Sequence, residues 1–329
     1  MIVTFVGANN YVLIENNIFR YTMLSFDKFQ SGQATNHIIR KNAFYGEWSA
    51  SAHSQGLYDN GSNLTVLEDN VFWHNGWRIG ARRDDATANG GMVGDDFFRH
   101  AFYLQTTTNG VIRRNLIVDG GSDGGQARGD STITENMYID NPSSIAAGGG
   151  SDYNVARPNG VSLEISYNAI LGGADIDASN LRYIAISSAN GKSGSSTHHN
   201  LIVRSGNPNG VNAGAFKTSA NFNQPSYMSY YNNVAYIWNA PGQTYVVDPS
   251  GFPSQVFAAY SNNLWDDVAS ATNGNSGTSS FPNPYTATEL YAALGYVDKA
   301  SFINRAINYP EEHPARAARS RLFAGYGLN

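Results

Sequence analysis

The sequence predicts an all-β fold, a right-handed parallel β-helix of about nine or ten coils, three short strands each, with a short helical C-terminal tail. The first observation is an asparagine that returns beside short apolar runs. It appears in IENNIF (Asn17), RKNAF (Asn42), EDNVF (Asn70), RRNLIV (Asn115), TENMYI (Asn136), SYNAIL (Asn168), HHNLIV (Asn200), YNNVAY (Asn233) and SNNLW (Asn263). The gaps are 25, 28, 45, 21, 32, 32, 33 and 30 residues. Such a period marks a solenoid whose single coil cannot bury its apolar face alone. The second observation is composition. Only 14% of the 329 residues are charged, against about 25% in ordinary globular proteins, and there are 34 Gly. With 12% aromatic residues the chain does not read as disordered. The third is that strand-length runs flank each asparagine.

Taken along the chain, MIVTFVG enters a strand almost at once. Around each asparagine a strand, a bend and a second strand follow. Val111–Arg114 precede Asn115 and Leu116–Val118 follow it; Thr132–Glu135 precede Asn136 and Met137–Ile139 follow it. An inward asparagine at such a bend can hydrogen-bond its counterparts above and below, which satisfies its buried amide. A third strand fits Leu24–Phe26, Leu57–Tyr58, Phe102–Gln105, Gln126–Arg128, Tyr183–Ser187, Ala215–Thr218 and Tyr245–Val247. Coils that all wind in one sense give parallel sheets with right-handed crossovers. The coil domain is set at residues 1–267, a low-complexity loop at 268–284 and a helical capping tail at 285–329. Thr286 and Glu289 form a capping box for a helix to about Leu294, and a second helix runs from about Pro314 to Phe323 and stops at Gly325. The tail is expected to close the C-terminal end of the stack.

A net charge of −5 gives a nucleic-acid partner no global support. The absence of Cys excludes disulfides and thiolate metal sites. No apolar run reaches a membrane span, and the first residues lack a signal-peptide layout. Because solenoids cap their open ends, a removed N-terminal segment is an expectation.

The strand–Asn–strand pattern over residues 2–265 resembles the pectate-lyase-like superfamily, which holds lyases, hydrolases, epimerases, esterases and phage tailspikes. The 45-residue gap between Asn70 and Asn115 holds an insert with Trp77, Arg82, Arg83, Asp84, Asp85, Asp95 and Asp96. A long insert in a regular repeat is usually functional. The resemblance implies that it overhangs a substrate groove on an outer sheet, and that the protein acts outside the cytoplasm, secreted, periplasmic or at the cell surface.

Alternation then selects side chains. With Phe102 and Leu104 inward, Tyr103 and Gln105 face out; with Ala127 inward, so do Gln126 and Arg128. His100 stands at the strand entrance, although parity with Phe102 would turn it inward. Tyr58, with Asp27 and Asn60, extends the row on one side and Lys217 on the other. This set suits β-elimination on a uronic-acid polymer, which needs a cation for the carboxylate, a base and a proton donor. Arg128 is read as the carboxylate clamp, His100 as the base and Tyr103 as proton donor or second base. Gln105, Gln126, Arg82, Arg83, Tyr58, Trp77 and Lys217 are read as substrate-binding. Seven of the sixteen Arg lie within residues 78–128, a bias that suits an anionic ligand. His198 and His199, beside a bend asparagine, are read as structural.

Rival readings stand beside this one. C5-epimerisation begins with the same proton abstraction. The insert aspartates would serve a glycoside hydrolase or bind Ca²⁺. Calcium-dependent lyases of the superfamily line the outward face with several Asp, where this sequence shows mainly Asp27, so no cofactor is expected. A non-catalytic tailspike-like protein would be a trimer with an apolar stripe along one outer face. No sustained stripe is legible, so a monomer is expected.

Overall fold

The computed structural model describes residues 2–6, 11–27, 35–48, 54–60, 63–76, 99–149, 159–173, 183–203, 213–219, 225–236, 247–248, 256–265, 276–277 and 285–328. Among these residues, three parallel sheets of nine, nine and ten strands form a β-helix in which nine coils each supply one strand to each sheet. The first sheet contains Met23–Asp27, Leu57–Asn60, Phe102–Leu104, Asp123–Ala127, Ser143–Gly148, Tyr183–Ala189 and Ala213–Ser219, in that order. Ser143–Gly148 was not legible as a strand, because SSIAAG has little β propensity; its neighbours on both sides set its register. Ser276–Gly277 adds a strand to the third sheet inside the segment read as a loop.

The asparagine ladder is continuous from Asn17 to Asn263. Each side-chain amide donates to Oδ1 of the next asparagine at 2.9–3.2 Å, as does each backbone N–H at 2.9–3.1 Å. The residue before each ladder asparagine, including Lys41, Asp69, Arg114, Glu135 and His199, has positive φ. This left-handed residue turns the chain sharply enough to bring the asparagine inside.

Inside the coil, like side chains stack in register. Phe19, Phe44 and Phe72 stack at 4.8 Å with rings nearly parallel. That spacing is the separation of neighbouring strands, so identical residues at equivalent positions meet face to face.

The third sheet explains the uninterrupted runs LIV, MYI and AIL. The central residue (Ile117, Tyr138, Ile170) points into the coil. Its flanking residues (Leu116, Val118, Met137, Ile139, Ala169, Leu171) are buried on the outside, against the tail. A strand covered on both faces loses its alternation. An apolar outer stripe therefore exists, contrary to the expectation from sequence, and the chain covers it itself. Ala287–Ala293 (α1), Lys299–Asn308 (α2) and Pro314–Gly325 (α3) contribute Leu290, Tyr291, Phe302, Ile303, Ala306, Leu322 and Phe323 to that cluster. The tail thus lies along the flank of the stack and is not confined to its C-terminal end, where the sequence placed it. Polar contacts fix its position: Lys299 Nζ reaches Asp119 at 2.9 Å and Asp140 at 2.5 Å, and His313 Nδ1 lies 3.0 Å from Asp69. The capping box of Thr286 and Glu289 forms as read. Helix α2 was missed because its own capping box, Asp298 with Ser301, lacks the usual Glu or Gln at the third helical position.

Candidate functional site

On the outer face of the first sheet, one row runs Ser25, Tyr58, Tyr103, Gln126, Ala146, Ser187, Lys217 in direct register. Gln105 and Arg128 follow two residues further along their chains. Glycine makes this placement possible. A Cβ on Gly125 would stand 2.0 Å from the Phe102 ring, and one on Gly129 would stand 2.0 Å from the Thr107 carbonyl. Gln126 and Arg128 are thus flanked by positions that only glycine fits against the preceding rung.

The geometry centres on Tyr103. Arg128 Nε donates to its hydroxyl at 2.7 Å, and the guanidinium carbon sits 5.6 Å from its ring centroid. Arg128 Nη1 donates to the Gly149 carbonyl at 3.1 Å, which ties the guanidinium to the next rung. Tyr58 donates to Gln105 Oε1 at 3.2 Å, and its ring lies 5.6 Å from that of Tyr103. Tyr58, Gln126, Ser187 and Lys217 are half-buried, as are the outward Val66, Val111 and Thr132 of the second sheet. Tyr103 and Gln105 lie nearly buried on this face, each 6% exposed, as does Ser25 at 4%.

Several expectations are corrected. His100 does not face out: it is 1% exposed, and its Nδ1 lies 3.2 Å from Asp123 Oδ2. The cause is strand parity carried two residues ahead of Phe102, which also pairs His100 with Asp123 on the next rung. The His100 ring meets Tyr103 edge-on at 5.3 Å, so it sits behind the tyrosine and not beside an incoming ligand. Lys217 shares the row but stands three rungs beyond Gln126, about 14 Å away at the strand spacing. The arginine bias thins as well. Arg113 and Arg114 pair with Glu68 and Asp69 on another sheet, and Arg99 is fully buried with Nη1 directed at the Gly76 carbonyl. Trp77, Arg82, Arg83 and the insert aspartates lie outside the described residues, as does the side chain of Asp27.

The model for a right handed beta helix region matches residues 3–161, a span that includes Tyr58, Tyr103, Gln126 and Arg128. The fold is a right-handed parallel β-helix. No curated protein and no solved structure matches the sequence.

The β-helix also buries groups that sequence reasoning did not single out. Asp123 is one; the offset of 23 residues that aligns Tyr103 with Gln126 also aligns His100 with it. Glu47 is another. It leaves the third sheet at the corner from which the insert departs, is 6% exposed, and accepts a short hydrogen bond from Ser54 Oγ. Burial pushes its carboxyl up from 4.5 to about 7, with Ser54 and Arg99 opposing. Between those pH values the folded protein holds a proton that the unfolded chain releases, so stability falls as pH rises from 4.5 through 7. A shift of this size is on the order of 3 kcal/mol. Glu47→Gln keeps a partner for Ser54 and removes the titration. Its melting temperature should exceed that of the wild type at pH 8 and match it at pH 4.5; a variant less stable at pH 8 would contradict this account.

Proposed function

We propose that this β-helix is a carbohydrate-active enzyme that cleaves a uronic-acid-containing polysaccharide by β-elimination on the outer face of the first sheet. The observation that supports this most is the Arg128 guanidinium on the Tyr103 hydroxyl. As a phenolate Tyr103 is a competent base, and the Arg128 guanidinium is the counter-ion beside it. Tyr103 takes the proton α to the sugar carboxylate, and Arg128 faces the negative charge that then gathers on that carboxylate. The C–H electron pair becomes the new C=C bond and the glycosidic C–O bond breaks. The proton on Tyr103 passes to the departing oxygen, which restores the phenolate. In this reading Gln105 and Gln126 hold hydroxyls, and Tyr58 fixes Gln105. His100 and Asp123 brace the Tyr103 ring from behind, in place of the base role that sequence gave His100. No step calls for a metal.

A sheet face several rungs long suits a polymer lying along the stack. The self-covered third sheet favours a monomer, and a polymeric acidic substrate favours a location outside the cytoplasm. The test is incubation with alginate, pectate, glycosaminoglycans and bacterial exopolysaccharides. Elimination yields near-ultraviolet absorbance and new reducing ends in equal amounts. Reducing ends without absorbance would indicate hydrolysis, inverted uronate signals by NMR without either would indicate epimerisation, and no change on any polymer would remove the enzyme reading.

A further inference from the structure

We propose that His198 and His199 form a two-imidazole chelate for a divalent transition metal, Cu²⁺ or Ni²⁺, on the outer bend between the second and third sheets. The proposal is independent of the reading of the first sheet. The two Nδ1 atoms converge to 2.8 Å. Adjacent residues rarely aim their rings at one point; here His198 ends a strand and His199 takes positive φ (53°), so the chain turns between them.

Stacking fixes both rings. His198 lies on Tyr231 of the following rung at 4.7 Å, with 10° between planes. His199 lies on Tyr167 of the preceding rung at 4.9 Å, with 14° between planes. The tautomers follow from the outer nitrogens. Asn232 presents its amide nitrogen to His199 Nε2 at 3.3 Å, which makes Nε2 an acceptor and places the His199 proton on Nδ1. That proton is donated to Nδ1 of His198, whose own proton is then on Nε2, 3.8 Å from Glu164. A single proton therefore lies between the two Nδ1 atoms. Metal bound at both Nδ1 atoms displaces it: one N–H bond breaks, two metal–nitrogen bonds form, and His199 stays a neutral ligand by carrying the proton on Nε2 instead, where Asn232 turns its amide oxygen to accept it, with no net proton released.

Spacing selects the metal. With metal–nitrogen bonds of about 2.0 Å, nitrogens 2.8 Å apart subtend about 90° at the ion. That is the cis angle of square-planar or tetragonal Cu²⁺ and Ni²⁺. Tetrahedral Zn²⁺ needs about 3.3 Å between ligand nitrogens at the same bond length. Among the described residues no group of three or more His, Cys, Asp or Glu could hold a metal, so the remaining positions fall to water or to an anionic oxygen.

The test is calorimetric titration of the full chain, made without a polyhistidine tag, with CuCl₂, NiCl₂, ZnCl₂ and CaCl₂. Expected are one saturable site for Cu²⁺ and Ni²⁺, at least about tenfold weaker binding of Zn²⁺, and no heat with Ca²⁺. His198→Gln and His199→Gln, each with wild-type circular dichroism, should weaken Cu²⁺ binding at least about tenfold, while His74→Gln leaves it unchanged. No saturable Cu²⁺ site, or equal affinity in the two variants and the wild type, would overturn the proposal. Loss of binding in His74→Gln would overturn it equally, because the metal would then sit elsewhere.

Discussion

Tyr103→Phe is expected to lower kcat on an acidic polysaccharide about 10³-fold, within the 10²–10⁴ range that a positioned acid or base contributes. The substitution removes one oxygen and keeps the ring between Tyr58, His100 and the Arg128 guanidinium. Stability should change little. The loss is confined to a single hydrogen bond to a charged group, about 1.5–3 kcal/mol, and Arg128 Nη1 keeps Gly149. KM should stay near the wild-type value, because the phenol oxygen acts on the reacting proton and the carboxylate contact belongs to Arg128. Arg128→Ala should differ in kind. It should cut kcat/KM at least as severely but also raise KM, since the carboxylate is bound in the ground state as well as stabilised in the transition state. Rates on the polymer that best responds in the substrate panel, with thermal melts beside them, check both. A Tyr103→Phe enzyme with wild-type kcat would remove the tyrosine from the chemistry. Equal losses in both variants accompanied by a large fall in melting temperature would show that the pair is structural.

The coil was legible because its signals are local and repeated. Each ladder asparagine sits beside its own strand, so nine weak signals add. The register was legible for the same reason: Tyr103 and Gln126 face one another because an equal number of residues separates every pair on those two rungs. What escaped the sequence was whatever depends on a contact between distant segments. The runs Leu116–Val118 and Leu201–Val203 look like ordinary core strands until helices from residues 287–325 are laid on their outer faces. The depth of Tyr103 likewise depends on rings from other rungs. His100 is an intermediate case. Parity with Phe102 pointed inward and a chemical role pointed outward, and parity prevailed because the ladder extends past the strand ends, as the hydrogen bond from Ala101 N to the Asp123 carbonyl records. The positive φ at Lys41, Arg114 and Glu135 could not be read from residue type, since these are not residues that favour that conformation. The ladder behind them imposes it.

Asn136→Ala is expected to cost on the order of 4–6 kcal/mol, a large share of the stability of a typical domain. Its Oδ1 accepts from the Asn115 backbone at 2.9 Å and from the Asn115 side chain at 2.9 Å. Its Nδ2 donates to the Ile112 carbonyl at 2.9 Å and to Asn168 Oδ1 at 3.0 Å. Truncation breaks all four bonds where neither water nor another side chain replaces them, for Asn115, Asn136 and Asn168 are fully buried. Asn136→Asp should be no milder. It keeps the acceptor but sets a carboxylate oxygen against the Ile112 carbonyl and Asn168 Oδ1, both of which need a donor. Asn17→Ala provides the contrast: that rung is exposed, no earlier asparagine among the described residues donates to it, and the change should cost below about 1 kcal/mol. If the rungs were held by their sheets alone, the two alanine variants would unfold at similar denaturant concentrations. If the ladder carries the stack, a break at its centre removes support from the rungs on both sides, because each coil is stabilised only by its neighbours. Denaturation of the three variants side by side separates these cases. An Asn136→Ala protein as stable as Asn17→Ala would mean that the asparagines follow the fold without holding it.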